Sequence, residues 1–153
     1  MQARKFAVFD IDGTLIRWQL FHAIVHHLGK HGFVKPNDHN QIKQARLNWK
    51  NRHTKFGFNE YEKTLVDMYI AALPGISPKD YEIIVQEVLD QYKDQVFVYT
   101  RDLLKSLNDQ GYFTIAISGS QNDIVQKLAD YHGFDYAVGA ELEIIQFLIK
   151  DLC

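Results

Sequence analysis

Two aspartates close a short apolar run near the start of the chain, and this arrangement constrains the fold more than any other feature. Residues 6–9 read Phe-Ala-Val-Phe without polar alternation, and Asp10, Asp12 and Gly13 follow. Such a run is typical of a strand buried on both faces of a parallel sheet. Because side chains two residues apart on extended backbone project to the same side, the sequence predicts neighbouring carboxylates at the strand's carboxyl end. Open α/β sheets bind ligands at that edge.

The carboxylate pair has two interpretations. Two adjacent carboxylates repel each other and lose hydration, so a cation or a shared proton usually accompanies them. Alternatively, Asp12 and Gly13 are only turn residues that give the loop its conformation. The position at the end of a strand, on a rigid scaffold, favours the chemical interpretation.

A second polar cluster follows another apolar run. Residues 112–117 are apolar or β-branched, apart from their aromatic start, and Ser118, Gly119 and Ser120 come next. A hydroxyl beside backbone N–H groups at a strand-to-helix turn forms an anion site. A serine there is equally suited to cap the following helix, and both interpretations stay open. A serine-hydrolase elbow is disfavoured because Ala116, and not glycine, lies two residues before Ser118.

The segment between these two motifs has helical periodicity. Apolar residues recur at helical spacing from about residue 17 to 95, and Asn59, Ser77 and Thr100 are suited to begin helices. Strand and helix patterns alternate again after residue 96, with a third short strand predicted at residues 136–138. We therefore predict an α/β core of residues 1–16 and 96–153, with a helical domain of residues 17–95 inserted after the first strand.

The composition limits the classes of partner that the protein is expected to bind. A net charge of −2 gives no general attraction to nucleic acid. No apolar run is close to the length of about 18–20 residues that a helix needs to span a bilayer. The chain enters a strand within a few residues, which leaves no room for a signal peptide. One cysteine, Cys153, excludes an intramolecular disulfide. We expect a cytoplasmic protein with neither nucleic-acid nor membrane partners.

Histidines recur at the spacing of some zinc sites. His22 with His26, and His27 with His31, are four residues apart. No glutamate follows the first histidine and no cysteine is near, so solvated helix faces are the preferred interpretation.

These motifs together resemble the haloacid dehalogenase superfamily. Residues 9–15, Phe-Asp-Ile-Asp-Gly-Thr-Leu, are similar to its first motif, and residues 115–120 resemble its second. The helical insert, with residues 133–135 and 140–143, is similar to the phosphoserine-phosphatase-like branch, subfamily IB. The resemblance covers nearly the whole chain and implies an α/β, Rossmann-like parallel sheet with a helical cap inserted after strand 1.

The resemblance also implies roles. Asp10 would be the nucleophile that forms an aspartyl-phosphate, and Asp12 the proton donor and acceptor. Asp10 and the backbone carbonyl of Asp12 would bind Mg²⁺. Ser118 and the N–H of Gly119 would hold phosphate oxygens, with Gly13 and Thr14 contributing to the same site. A small phosphomonoester would be the substrate.

The sequence departs from that family in two ways. The family's third motif, a lysine, and its fourth, an acidic Gly-Asp loop, have no clear counterpart, and Lys150 is not expected to replace the lysine. The core is therefore expected to be incomplete at its C-terminus, with an open sheet edge that predicts pairing with a second copy. Gln19 and Met68 stand where phosphoserine phosphatases carry a glutamate and an arginine, which argues against phosphoserine.

Two alternatives to a phosphatase remain. One is a truncated or degenerate, non-catalytic phosphate-binding fragment of such an enzyme. The other is a phospho-acceptor receiver domain, which also has an acidic cluster on an α/β sheet. The long helical insert disfavours the receiver domain.

Overall fold

The computed structural model describes residues 5–52 and 57–141, which form an α/β protein. The described strands are β1 (Phe6–Asp10), β2 (Phe113–Gln121) and β3 (Tyr136–Ala140). The described α-helices are α1 (Leu20–Lys30), α2 (Pro36–Lys50), α3 (Gly57–Ala72), α4 (Pro78–Tyr92), α5 (Val98–Asp109) and α6 (Asn122–His132), and a 3-10 helix covers Leu73–Gly75. The sequence predictions for residues 142–153, including Lys150 and Cys153, lie outside the described residues.

The three described strands form a parallel sheet in the order β1-β2-β3. Asp10 lies beside Ile117 in the β1–β2 pair, and Ile117 lies beside Val138 in the β2–β3 pair. The β2–β3 pairing is irregular after Ile117 and resumes where Gln121 lies beside Ala140. The predicted α/β class with a parallel sheet is confirmed, and so is the helical segment between the first two strands.

Two units divide the described chain, and the first contains the sheet. It comprises residues 5–23 and 85–141. Helix α6 packs against β2 and β3, and the rings of Phe9 and Phe134 meet in an edge-to-face arrangement with a centroid distance of 5.5 Å. The segments before and after the helical region run side by side here, since Arg17 N–H donates to Gln95 O and Phe97 N–H donates to Leu15 O. The domain limits at residues 16 and 96 stay a prediction.

Residues 24–52 and 57–84 form the second unit, in which α2 packs against α3. The rings of Trp49 and Tyr61 stack with an interplanar angle of 9° and a centroid distance of 5.5 Å. The hydroxyls of Tyr69 and Tyr81 lie 3.1 Å apart. Tyr61 and Tyr69 are buried and therefore belong to the core of this helical region.

Burial corrects two sequence expectations. The first strand was predicted to be buried on both faces, but Phe6 is 67% exposed and Val8 is 51% exposed. Their side chains share one face of β1, and no described residue covers it enough to bury them. The histidine interpretation was also wrong in part, because His22 and His27 are buried and do not lie on solvated faces.

Two predicted helix starts are wrong and one is confirmed. Helix α3 begins at Gly57, two residues before Asn59, and α5 begins at Val98, two residues before Thr100. Ser77 caps α4 as predicted, because its Oγ accepts a hydrogen bond from the N–H of Asp80 at 3.1 Å. Among the described residues, no helix has the length and apolar character to cross a membrane.

Candidate active site

Asp10 is the last residue of β1, at the carboxyl end of the parallel sheet. Its side chain is exposed, and its Oδ2 accepts a hydrogen bond of 2.5 Å from the Thr14 hydroxyl. The bond fixes one carboxylate oxygen, and the exposure leaves the group accessible to a ligand. Asp10 therefore has the position and accessibility of a reacting group at a ligand-binding edge.

A tight turn carries the chain from Asp10 to the helical region. Gly13 has φ +78°, a conformation that glycine adopts at little cost, and its N–H donates to Ile16 O at 3.0 Å and Trp18 O at 3.1 Å. The N–H of Thr14 donates to Ile11 O at 3.2 Å. The backbone donors of Gly13 and Thr14 are thus used inside the turn, and phosphate binding by these two residues stays a prediction.

Asp12 is held from three directions. Its Oδ1 accepts a hydrogen bond of 2.6 Å from the N–H of Leu20, the first residue of α1. Its Oδ2 accepts a hydrogen bond from the Ser118 hydroxyl and another, of 3.1 Å, from the Ser120 hydroxyl. The residue is half-buried. Its carboxylate is therefore oriented by groups from α1 and β2 and not only by its own loop.

The surroundings of Asp12 raise its pKa. Burial makes the largest contribution, since removal from water disfavours the charged carboxylate. The hydrogen bonds from Ser118, Leu20 and Ser120 oppose this effect, and the negative charge of Asp10 adds to it. The net direction is upward, which favours a carboxyl group that can hold a proton and release it.

Ser118, Gly119 and Ser120 lie within β2, because the strand continues to Gln121 and does not end before them. The N–H of Ser120 donates to Ser118 Oγ at 2.9 Å, and Ser120 Oγ accepts a hydrogen bond of 3.0 Å from the N–H of Phe21. Gln121 occupies the N-cap position of α6 without a capping side-chain bond. The alternative that a serine caps the following helix is therefore wrong, and both serine hydroxyls bond Asp12 instead.

The end of β2 packs closely against β3. A Cβ on Gly139 would lie 2.6 Å from Asn122 Cα and 2.9 Å from Ser120 O, so only glycine fits without displacement. The N–H of Gly139 donates to Asn122 Oδ1 at 3.1 Å. In contrast, a Cβ on Gly119 would meet nothing within 4 Å. The backbone of the second motif is thus supported on one side and open beside Gly119.

The oxygen ligands at this edge have the chemistry that Mg²⁺ prefers. They are the exposed carboxylate of Asp10 and the backbone carbonyl of Asp12, both hard oxygen donors. Within the described ranges, His, Cys, Asp and Glu side chains do not gather in groups of three or more that could hold a metal. Because Mg²⁺ often uses one or two carboxylates and takes its other ligands from water and substrate phosphate, these residues fit that ion.

The structure joins Asp12 to Ser118 directly, and sequence reasoning had placed both at the site. It did not assign a role to Ser120 or to the N–H of Leu20. Ser120 could have been found from its spacing, because residues two apart on a strand share a face. The Leu20 contact has no sequence signal, since it depends on where α1 begins in space.

The fold and the site define a class of protein, an α/β layer with a helical insert after its first strand and an Asp-x-Asp pair at that strand's end. The chain belongs to the haloacid dehalogenase-like hydrolase family, whose model it matches over residues 7–150. It is 23% identical over 141 residues to the phosphoserine phosphatase of Archaeoglobus fulgidus. That match covers 92% of this chain and 35% of the relative.

Solved structures show the same fold at low sequence identity. A protein with unknown function from Bordetella pertussis Tohama I matches with a TM-score of 0.68 at 14% identity, covering 95% of this chain and 64% of that one. A substrate-bound phosphoserine phosphatase complex matches with a TM-score of 0.57 at 18% identity, covering 95% and 60%. The chain thus spans about a third of the curated relative's length and under two thirds of these structures.

Proposed function

We propose that the chain is a Mg²⁺-dependent phosphomonoester hydrolase that acts through an aspartyl-phosphate on Asp10. The observation that carries the proposal is the contrast between the two aspartates. Asp10 is exposed at the end of β1, whereas Asp12, two residues on, is half-buried and held by three donors. Membership of a hydrolase family and similarity to a phosphoserine phosphatase support the same reaction class.

The proposed reaction uses the two carboxylates in sequence. An oxygen of Asp10 attacks phosphorus and forms a P–O bond, while the ester P–O bond breaks and the departing alkoxide takes a proton from Asp12. Asp12, now a carboxylate, accepts a proton from water as the water oxygen attacks phosphorus. The bond between phosphorus and Asp10 then breaks, which releases inorganic phosphate and restores both residues. The raised pKa of Asp12 supports this role, because the group must be protonated for the first step.

Charge is the main obstacle to the first step. A carboxylate facing a phosphate dianion at ~3 Å experiences a repulsion of about 10 kcal/mol at an effective dielectric constant near 20. Mg²⁺, when bound, supplies positive charge that offsets this repulsion. Asp10 and the backbone carbonyl of Asp12 would hold the ion.

Ser118 and the N–H of Gly119 are proposed to bind the phosphate oxygens. Ser118 is buried and already donates its hydroxyl hydrogen to a carboxylate, so it is suited to an anionic acceptor. The space beside Gly119 leaves its backbone open to approach. Gly13 and Thr14 would shape the same site, Thr14 through its bond to Asp10.

We propose a small phosphomonoester other than phosphoserine as the substrate. The family resemblance implies a glutamate at the position of Gln19, which carries no charge. It likewise implies an arginine at the position of Met68, which is buried in α3. Neither residue offers a charge to the ammonium or carboxylate group of phosphoserine.

The test is hydrolysis of a generic aryl phosphate by the 153-residue chain with Mg²⁺. Turnover should disappear with a chelator and in the Asp10→Asn variant. Acid quenching during turnover should trap a phosphoryl group on wild-type protein, detected by mass spectrometry. The matched control is Asp109→Asn, which removes an exposed aspartate at the end of α5. Undiminished turnover by Asp10→Asn would eliminate Asp10 as the nucleophile.

Binding measurements beside the turnover assay distinguish the alternative function, a non-catalytic phosphate-binding module. Phosphate or Mg²⁺ binding without turnover, measured by calorimetry, would support a non-catalytic phosphate-binding module. Asp10→Asn would then weaken Mg²⁺ binding without any rate to measure.

We propose further that a second copy pairs with the open edge of β1. Among the described strands β1 pairs with β2 alone, and exposed Phe6 and Val8 lie on it. Light scattering should report a dimer that Val8→Lys converts to a monomer, and a wild-type monomer would contradict the proposal. The compartment is proposed to be the cytoplasm, which localisation of a tagged chain would test.

A further inference from the structure

Ser120 connects Asp12 to the start of helix α1. Its hydroxyl donates to Asp12 Oδ2 at 3.1 Å and accepts from the N–H of Phe21 at 3.0 Å. Ser120 as a whole is only 3% exposed, so water does not compete freely for either bond. The neighbouring N–H of Leu20 donates to Asp12 Oδ1. The first two N–H groups of α1 therefore donate hydrogen bonds to Asp12 and Ser120.

Ser118, the other serine that bonds Asp12, has two candidate acceptors for one hydrogen. Ser118 also donates to Asp12 Oδ2, but a serine hydroxyl has a single hydrogen to donate. When Ser118 donates that hydrogen to a phosphate oxygen, as proposed above, it no longer donates to Asp12. No phosphate contact is proposed for Ser120, which accepts a hydrogen bond from the N–H of Phe21 while its single hydrogen is directed at Asp12.

We propose that Ser120 is a positioning residue, which holds the carboxyl group of Asp12 against the start of α1 while Ser118 is engaged with phosphate. The catalytic role of Asp12 in this statement rests on the proposed function, whereas the structural link from Ser120 through Asp12 to Leu20 does not. With Leu20 on Oδ1 and Ser120 on Oδ2, the carboxyl group keeps two fixed donors on opposite oxygens. Its rotation is thereby restricted when a proton must move to or from a substrate.

The kinetic test compares Ser120→Ala with Ser118→Ala. Loss of a hydrogen bond to a charged group corresponds to roughly 10- to 100-fold in rate. Ser120→Ala should therefore lower kcat by at least about tenfold and leave KM unchanged, because Ser120 does not bind substrate. Ser118→Ala should instead raise KM, since it removes a phosphate contact. A kcat of Ser120→Ala equal to wild type would overturn the proposal.

A matched control separates positioning from general loss of packing. Thr114 is fully buried in β2, and its hydroxyl donates to Asn108 away from the site. Thr114→Val removes a buried hydroxyl of the same sheet and should lower the unfolding midpoint with kcat unchanged. If Thr114→Val lowers kcat as much as Ser120→Ala does, the effect is structural and the proposal fails.

Amide hydrogen exchange provides a test that needs no turnover. The acceptor of Leu20 N–H is Asp12, and the acceptor of Phe21 N–H is Ser120. If Ser120 positions Asp12, Ser120→Ala accelerates exchange at Leu20 as well as at Phe21. Acceleration at Phe21 alone would mean a local cap and would overturn the proposal. Absence of wild-type turnover would therefore refute the proposed function and still leave the role of Ser120 decided by exchange.

Discussion

The N–H of Leu20 donates to Oδ1 of Asp12 at 2.6 Å, so the first residue of α1 is bound directly to the second aspartate of the Asp-x-Asp pair. The carboxylate acts on this helix as an N-cap does, although it comes from a loop eight residues earlier. The positive end of the helix dipole favours a negative charge there. Burial opposes that effect and prevails, since the pKa of Asp12 is raised. The residue that caps α1 is therefore also the one to which the proposed function assigns proton transfer.

Replacement of Asp12 by asparagine should separate these two roles. The amide oxygen can still accept from Leu20, and the hydroxyls of Ser118 and Ser120 can rotate to accept from the amide N–H groups. Because a carboxylate disfavoured by burial is replaced by a neutral group, the free energy of unfolding should stay the same or rise. Turnover should fall by about 10²- to 10⁴-fold, since the proposed proton transfer by Asp12 is lost.

Denaturant unfolding and steady-state kinetics measure both effects for Asp12→Asn. A variant that is destabilised and inactive would contradict the separation. A stable and fully active variant would exclude Asp12 as the acid–base residue.

The Thr14 hydroxyl should orient Asp10, the proposed nucleophile. It donates to Asp10 Oδ2 at 2.5 Å, which leaves the other carboxylate oxygen unrestrained for attack. Thr14→Val keeps the shape of the side chain and removes its hydrogen-bond donor. We expect kcat to fall about tenfold, which is the low end of the range for losing a hydrogen bond to a charged group, because the site is exposed. Thr14→Ser keeps the hydroxyl and should keep the rate. Equal kcat values for the valine and wild-type proteins would show that the bond has no catalytic effect.

The sequence was informative where local pattern determines structure. The apolar runs before Asp10 and Ser118 predicted two of the strands, and their carboxyl ends meet at one sheet edge because the strands are parallel. The exposed face of β1 was not predictable from the sequence. The apolar run that contains Phe6 and Val8 would read the same whether or not another element covered that face. Burial on both faces is a tertiary property, and the residues that would provide it are not marked in the strand itself.

Element ends were predicted less well, because non-local contacts determine them. Helix α5 begins at Val98, where the N–H of Phe97 is bound to Leu15 O across the chain, and not at the better capping residue Thr100. Strand β2 similarly continues through the polar residues 118–120, because Gln121 pairs with Ala140 of β3. Local composition suggests a loop there, and the pairing with a later strand overrides it.

Gly139 should be intolerant of any side chain. An added Cβ would lie 2.6 Å from Asn122 Cα and 2.9 Å from Ser120 O, and backbone atoms cannot move aside cheaply. Gly139→Ala should lower the free energy of unfolding by about 1–3 kcal/mol, as overpacking typically does. Gly119→Ala is the matched control for stability, because its Cβ would meet nothing within 4 Å. Equal unfolding midpoints for the two variants in denaturant would contradict the close approach.

His132 should make stability depend on pH. Burial lowers the pKa of His132 below 6.5, and the positive charge of Arg101 lowers it further. The hydrogen bond to Lys93 O and the negative charge of Asp94 raise the pKa, but burial has the larger effect. Below pH 6.5 the unfolded chain therefore binds the proton more readily than the folded chain, so stability is complete above 6.5 and declines as pH falls. His132→Gln keeps a donor for Lys93 O and should weaken that decline. Unfolding midpoints between about pH 5 and 8 measure the difference, and identical pH profiles for both proteins would remove His132 as its source.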